Sequence, residues 1–209
     1  MTFLSPILKL IHIYSIICLF LILTTNVQAA EKKVYKPFIL AQTLSTSLAE
    51  AKDKIKLQIK ASPFDLIAEY SPYDDAVIYI ISSDKLKEMA ALDAYGGFAA
   101  PQRISLTQVD KTIQVAYTNP VYMQYAYRMN NANLHPILEL MKEAFGYKQD
   151  FGGLGLNERK LKLYTYSFGL ESFDSFYELP SYTTHEEAIE SLLKGFKDSS
   201  NGISEIYRI

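Results

Sequence analysis

The side chains best placed for chemistry lie in one run, Tyr117-Thr118-Asn119-Pro120-Val121-Tyr122-Met123-Gln124-Tyr125-Ala126-Tyr127-Arg128. A tyrosine offers a flat apolar ring and a hydroxyl that gives and takes hydrogen bonds. Asn119-Pro120 reads as a helix start, with asparagine as the N-cap and proline in the first turn. The first turn of a helix presents free N–H groups and the positive end of a dipole, which suit an anion. Arg103 and Arg128 can add positive charge. Arg103, Tyr117, Asn119, Tyr122, Tyr125 and Arg128 are therefore expected to line a small-ligand site. The competing reading makes the tyrosines core and rim packing, with Asn119-Pro120 a plain helix start.

Other motifs resolve into ordinary structure. His185-Glu186-Glu187-Ala188-Ile189 begins like a zinc-protease helix, but that motif needs a second histidine at position 189. Thr184 to Glu187 is instead a capping box. His135 and His185 each fall in the first turn of an expected helix, with no carboxylates at metal spacing around them. Gly152-Gly153-Leu154-Gly155 lacks the remaining features of a dinucleotide or phosphate loop and reads as a flexible connection. Ser167 is not in a nucleophile elbow. Glu171, Asp174 and Glu178 belong to no motif. No catalytic residue, metal ligand or cofactor is assigned.

The elements that must position these residues follow from periodicity. Val34 to Leu44 is β-prone, with Pro37 suiting an edge. Ser47 to Lys60 is an amphipathic helix, with Leu48, Ala51, Ile55 and Ile59 inward. Phe64 to Tyr70 reads as a strand, Ser71-Pro72-Tyr73-Asp74 as a turn and Ala76 to Ile81 as a wholly apolar strand. Ser83 caps a helix over Asp84 to Ala94, ended by Gly96-Gly97. Strands around Ile104 and Ile113 form a hairpin across Val109 to Thr112. A helix follows Asn119, and another starts at Asn133 and stops at Gly146. Asn157 to Tyr166 fits helix or strand. Phe176 to Tyr182 reads as extended, His185 to Phe196 as helical and Ile203 to Ile209 as a last strand.

Short connections outnumber crossovers, so the expected class is α+β: a mainly antiparallel sheet with helices on one face, an order that two related halves would also give. The strand Ala76 to Ile81 lacks alternation, so both its faces should be covered. The expected division is 1–29 as a leader, 30–132 as an α+β domain carrying the tyrosine-rich junction, and 133–209 as a second α+β segment.

The N-terminus reads as a cleavable export signal. Lys9 and His12 precede an apolar core from Ile13 to Leu23, and Val27-Gln28-Ala29 fits signal peptidase, with cleavage after Ala29 or Ala30. The rival reading is an uncleaved inner-membrane anchor. The apolar run is short for a span of about 20 residues. Cleavage removes Cys18, the only cysteine of the 209 residues. The mature chain then has no thiol for a disulfide or a metal. It keeps 20 basic and 23 acidic residues, a net charge of −3. So weak and mixed a charge does not suit nucleic acid. These features point to a bacterial periplasm, with no stable membrane insertion after cleavage.

Three segments carry a resemblance: Glu69-Tyr70-Ser71-Pro72-Tyr73-Asp74, then Tyr95-Gly96-Gly97-Phe98 with Gln102-Arg103, then Tyr117-Thr118-Asn119-Pro120-Val121-Tyr122. Here the chain resembles exported bacterial proteins similar to the domain-of-unknown-function family numbered three hundred and two. The similarity runs from about Val34 to Arg128, and more weakly from His185-Glu186-Glu187 to Tyr207-Arg208. The resemblance implies an α+β sheet fold and no reaction. It also implies a longer C-terminus, which would leave the last strand as an exposed or swapped edge. The function expected is a periplasmic, non-catalytic small-ligand-binding or accessory protein. The alternative is an envelope interaction module or homodimer using an uncovered sheet face, and a hydrolase is the least supported reading.

Overall fold

The structure, a computed structural model, describes residues 33–171, 175, 180–197 and 202–209. The export signal therefore lies outside the described residues, as does most of the stretch expected to be extended at 176–182. All of the described helices and strands belong to the unit from Val34 to Ile209.

Six strands form one antiparallel sheet: β1 (Phe38–Leu44), β2 (Asp65–Tyr73), β3 (Ala76–Ser82), β4 (Gln102–Val109), β5 (Thr112–Thr118) and β6 (Gln149–Phe151). Their order is β2-β3-β4-β5-β1-β6. The helices are α1 (Leu48–Lys60), α2 (Asp84–Ala90), α3 (Pro120–Ala126), α4 (His135–Phe145), α5 (Glu158–Lys162) and α6 (His185–Lys197), with a 3-10 turn at Gly96–Phe98. This is the α+β class that the sequence pattern predicts. The segment after residue 133 adds α4 and β6 to the sheet and core begun by 34–132.

Alternation along the strands selects the core. Val77, Tyr79 and Ile81 of β3, Ile104 and Leu106 of β4, and Ile113, Val115 and Tyr117 of β5 point to one face. There they meet Ala51, Ile55 and Ile59 of α1, Leu86 of α2, Val121 of α3 and Ile137, Met141 and Phe145 of α4. Fully burying each large side chain stabilises by about 1.5–3 kcal/mol. β3 is covered on both faces, since Ala76, Ile80 and Ser82 of the opposite face are also buried.

Local chemistry fixes the ends of the elements. Ser47 and Glu50 form a full capping box at α1. A bulge between Leu40 and Gln42 turns Gln42 toward the helices. Its amide donates to Phe145 O at 2.6 Å and to Gln58 at 3.2 Å. One α4 terminal carbonyl is thereby satisfied. Gly146, at φ 91°, then ends the helix. On the other side, Glu69 of β2 pairs with Lys56 at 2.7 Å and Lys52 at 3.0 Å of α1. The hydrogen bond from Lys56 is the main reason its carboxyl titrates below the usual range. Its folded pKa is depressed, so its contribution is present above the ordinary carboxylate pKa and lost as pH falls through the folded value. Glu69→Gln should flatten the acid limb of a stability–pH curve slightly, as suits a partly exposed pair.

Several expectations need correction. Pro37 does not mark an edge: β1 lies between β5 and β6, and Pro37 precedes it, where no ladder N–H is required. Ser71 to Tyr73 continue β2 through a bulge, and the turn is Asp74-Asp75. The helix after Ser83 stops at Ala90 rather than Ala94. Gly96 does not end it by a left-handed turn; it is needed for close approach to Ala90. The glycine-rich loop, expected as a flexible connection, is held at its start by β6, which pairs with Phe38 to Leu40 and leads directly into it. Asn157 to Tyr166 resolves as the short helix α5, capped by Asn157. Residues 203–209 are in no strand and run beside α6. Apolar content favours a strand there, but a lone segment with no neighbouring edge has no ladder to join.

Candidate functional site

The structure divides the six predicted site residues into three groups. Arg103 is exposed on β4 and pairs with Ile80 on the sheet face away from the helices. Tyr117 points the opposite way and is 1% exposed. Its hydroxyl donates to Gly146 O at 3.0 Å, and its ring lies 6.3 Å from that of Phe145. Burial pushes its phenol pKa up. Tyr117 thus ties β5 to the end of α4.

Asn119 is buried at the β5–α3 junction. Its Oδ1 accepts from Val121 N at 3.1 Å and Tyr122 N at 3.4 Å. Its Nδ2 donates to Lys36 O at 3.0 Å, and its backbone N–H to Pro37 O. The N–H groups that suggest an anion site are therefore occupied by the chain's own asparagine. Asn119→Ala should cost about 2 kcal/mol, from a lost cap and the loss of the amide donor to the partly buried Lys36 carbonyl. Urea denaturation of the two proteins would measure it.

Tyr122, Tyr125 and Arg128 remain together on α3 and its end. Arg128 takes φ 54°, and its Nε donates to Lys162 O at 2.8 Å, holding the C-terminus of α5. The ring of Tyr125 lies 5.0 Å from that of Tyr35, the two tilted at 48°. Burial, then a hydrogen bond with Tyr125, pushes the Tyr35 phenol up to about 12. Tyr127 stacks on Phe98 at 4.7 Å with rings nearly parallel. Tyr35 also bridges to Leu156 through two backbone hydrogen bonds of 2.8 and 2.9 Å, which anchors the far end of the glycine loop.

These ties leave a cleft of about 350 Å³ between α3 and that loop, lined by Pro37, Tyr122, Gly152, Gly153, Leu154, Gly155, Leu156 and Tyr164. Tyr122 is half-buried. Burial raises its phenol pKa, and nearby Tyr164 and Tyr127 raise it further. At neutral pH it is an uncharged donor and acceptor. The glycines belong here for steric reasons. A Cβ on Gly152 would meet Pro37 and Phe38 at 2.8 and 3.0 Å, and Gly152, Gly153 and Gly155 all have φ between 79° and 94°. Gly152, Gly153 and Gly155 contribute only backbone to this lining, beside Leu154 and Leu156. No charged side chain is among the lining residues.

Sequence reasoning singles out Tyr122 but misses Pro37, Tyr164 and the glycine loop, which reads as a flexible connection. The available signal is the pairing of that loop with Tyr35 and Pro37 across more than a hundred positions, and no local pattern encodes it.

One buried hydroxyl contrasts with Tyr117. Tyr79 is fully buried, and among the described residues its OH has no hydrogen-bond partner. Tyr117→Phe should cost about 1 kcal/mol, whereas Tyr79→Phe should be neutral or stabilising, because it removes an unpaired polar group. Thermal unfolding should show a lowered midpoint for Tyr117→Phe and no loss for Tyr79→Phe.

Among the described residues no helix is long and apolar enough to cross a membrane, and no group of three or more His, Cys, Asp or Glu could hold a metal. No family model and no curated protein matches the chain. Among solved structures it is similar to the crystal structure of an uncharacterized conserved protein, DUF302, from Bacillus stearothermophilus. The identity is 12%, the match covers 50% of this chain and 93% of that one, and the TM-score is 0.43. That protein bears the name of the family that the Glu69–Asp74, Tyr95–Arg103 and Tyr117–Tyr122 segments resemble.

Proposed function

We propose that the mature chain is an exported periplasmic protein that holds a small, uncharged ligand in the cleft between α3 and the glycine loop, without transforming it. The observation that carries this is the lining itself. Two tyrosines, a proline, two leucines and three glycines line one space of about 350 Å³, a mixture of ring faces, apolar side chains and backbone that suits a neutral molecule. The lining offers no acid–base pair and no nucleophile with an adjacent base, so retention is the better reading than turnover. An anion is disfavoured, because Asn119 occupies the helix N–H groups and the Nε of Arg128 is bonded to Lys162 O.

Export rests on the leader sequence and on the cysteine-free chain that follows it. Mass analysis of the protein recovered from a periplasmic extract should give a chain starting at Ala30 or Glu31. A chain starting at Met1 in the membrane fraction would contradict the cleaved-signal reading. Native mass spectrometry of the same material should show a constant added mass on the folded protein, which is lost on denaturation.

A further inference from the structure

The glycine loop is tied at both ends and free between them. Its start is held by β6, where Phe151 pairs with Phe38, and its end by the two backbone hydrogen bonds between Leu156 and Tyr35. Among the described residues, no backbone hydrogen bond holds Gly152, Gly153, Leu154 or Gly155. Leu154 borders the cleft, yet it is 97% exposed. A single exposed leucine is ordinary. This one stands between two glycines at the mouth of an uncharged cleft, on the stretch of loop that no backbone bond holds.

The flanking glycines suit motion. Gly153 and Gly155 stand at φ 79° and 81°, and glycine takes φ of either sign at little cost. A Cβ on Gly153 would meet nothing within 4 Å. The atoms nearest a Cβ on Gly155 belong to the side chains of Val34 and Lys36, and Val34 is itself exposed. A swing about these two positions moves Leu154 while β6 and Leu156 keep their pairing. Pro37, Leu156 and the rings of Tyr122 and Tyr164 line the same cleft. A leucine that leaves water for such surroundings is stabilised when an apolar molecule completes its burial. A fixed wall would gain nothing from a leucine left in solvent.

We propose that residues 152–155 are a lid, which hinges at Gly153 and Gly155 and lays Leu154 over a neutral molecule with an apolar face toward the loop. The lid rests on the reading of the cleft as a ligand site, and it narrows the ligand to one with that apolar face. Closure by one leucine strengthens binding about tenfold or somewhat more, chiefly by slowing escape.

N-phenyl-1-naphthylamine, an uncharged aromatic dye, is the probe for the mature chain. Wild type should bind it with a rise in dye fluorescence. Leu154→Ser should release it about tenfold faster, with little change in the association rate, and Leu154→Met should behave as wild type. With Cys18 gone from the mature chain, Leu154→Cys carries a single thiol. Saturating dye should slow its reaction with a thiol reagent about tenfold, because closure buries the side chain. Leu154 lies outside the core, so every variant at this position should fold, as far-ultraviolet circular dichroism would verify. Suppose Tyr122→Ala loses the dye while Leu154→Ser releases it at the wild-type rate: the lid is then overturned and the cleft reading stands. Faster release from Leu154→Ser without thiol protection in Leu154→Cys would make Leu154 a fixed contact, and would also overturn the lid. A wild type that does not bind the dye, or a Tyr122→Ala variant that binds it equally, would overturn the cleft reading and the lid together.

Discussion

Gly96→Ala is expected to lower stability by about 3 kcal/mol or more, the upper end for an overpacked site. A Cβ at this position would lie 1.9 Å from Ala90 O and 2.7–2.8 Å from Ala90 C and Cα. All three are backbone atoms in the last turn of α2, so no side-chain rotation relieves the clash. The 3-10 turn would have to move as a unit. That turn carries Phe98 against Tyr127 and the carbonyls of Ala99 and Ala100. Ala99 O accepts from buried Gln102 at 2.7 Å, and Thr118 donates to the same Gln102 side chain at 2.7 Å. A shift at Gly96 therefore reaches the edge of the tyrosine-rich junction. Gly97→Ala is the control: a Cβ there meets nothing within 4 Å, and the change should be small. Chemical denaturation of the two alanine variants should separate them clearly, and equal losses would contradict the close approach of Gly96 to Ala90.

Phe145→Ala is expected to cost about 3–5 kcal/mol, the range for emptying a fully buried aromatic site. The ring is completely buried, 6.1 Å from Phe64 and 6.3 Å from Tyr117. It stands where α4 meets the sheet, at the helix end held by Gln42 and Tyr117. Tight neighbours on both sides limit collapse of the cavity, which places the cost in the upper part of the range. Phe151, 36% exposed on the outer face beside Phe38, serves as the comparison and should lose far less on truncation.

Much of the fold is legible in the sequence because the apolar periods are long and the caps are conventional. Ser47 with Glu50, Ser83, Asn119 with Pro120, and Gly146 each mark a helix boundary where the structure has one. The hairpin across Asp110 likewise follows from alternation in the flanking strands. The failures share a cause. Gly96 reads as a chain-terminating conformation because a sequence does not show that Ala90 lies against it. Ser71 to Tyr73 resembles a turn because Pro72 is compatible with both a turn and a bulged edge strand, and the pairing with β3 decides between them. The final segment has the composition of a strand, but a strand needs a neighbour.

The candidate site is half legible. The tyrosine-rich run does mark one wall of a cleft, through Tyr122. Arg103 and Tyr117 cannot be separated from it without register, since adjacent strands send them to opposite faces of the sheet. Asn119 reads correctly as a cap, and that role occupies the groups an anion would use. The second wall, from Gly152 to Leu156 with Tyr164, reaches the first through Tyr35 and Pro37, a contact between distant parts of the chain.

The central claim is that this cleft holds a neutral ligand, and native mass spectrometry of three periplasmic preparations tests it most directly. Wild type should carry a constant adduct, while Tyr122→Ala and Tyr164→Ala, folded and otherwise intact, should carry little or none. A bare wild-type protein, or an adduct kept equally by both variants, would contradict ligand retention in the cleft.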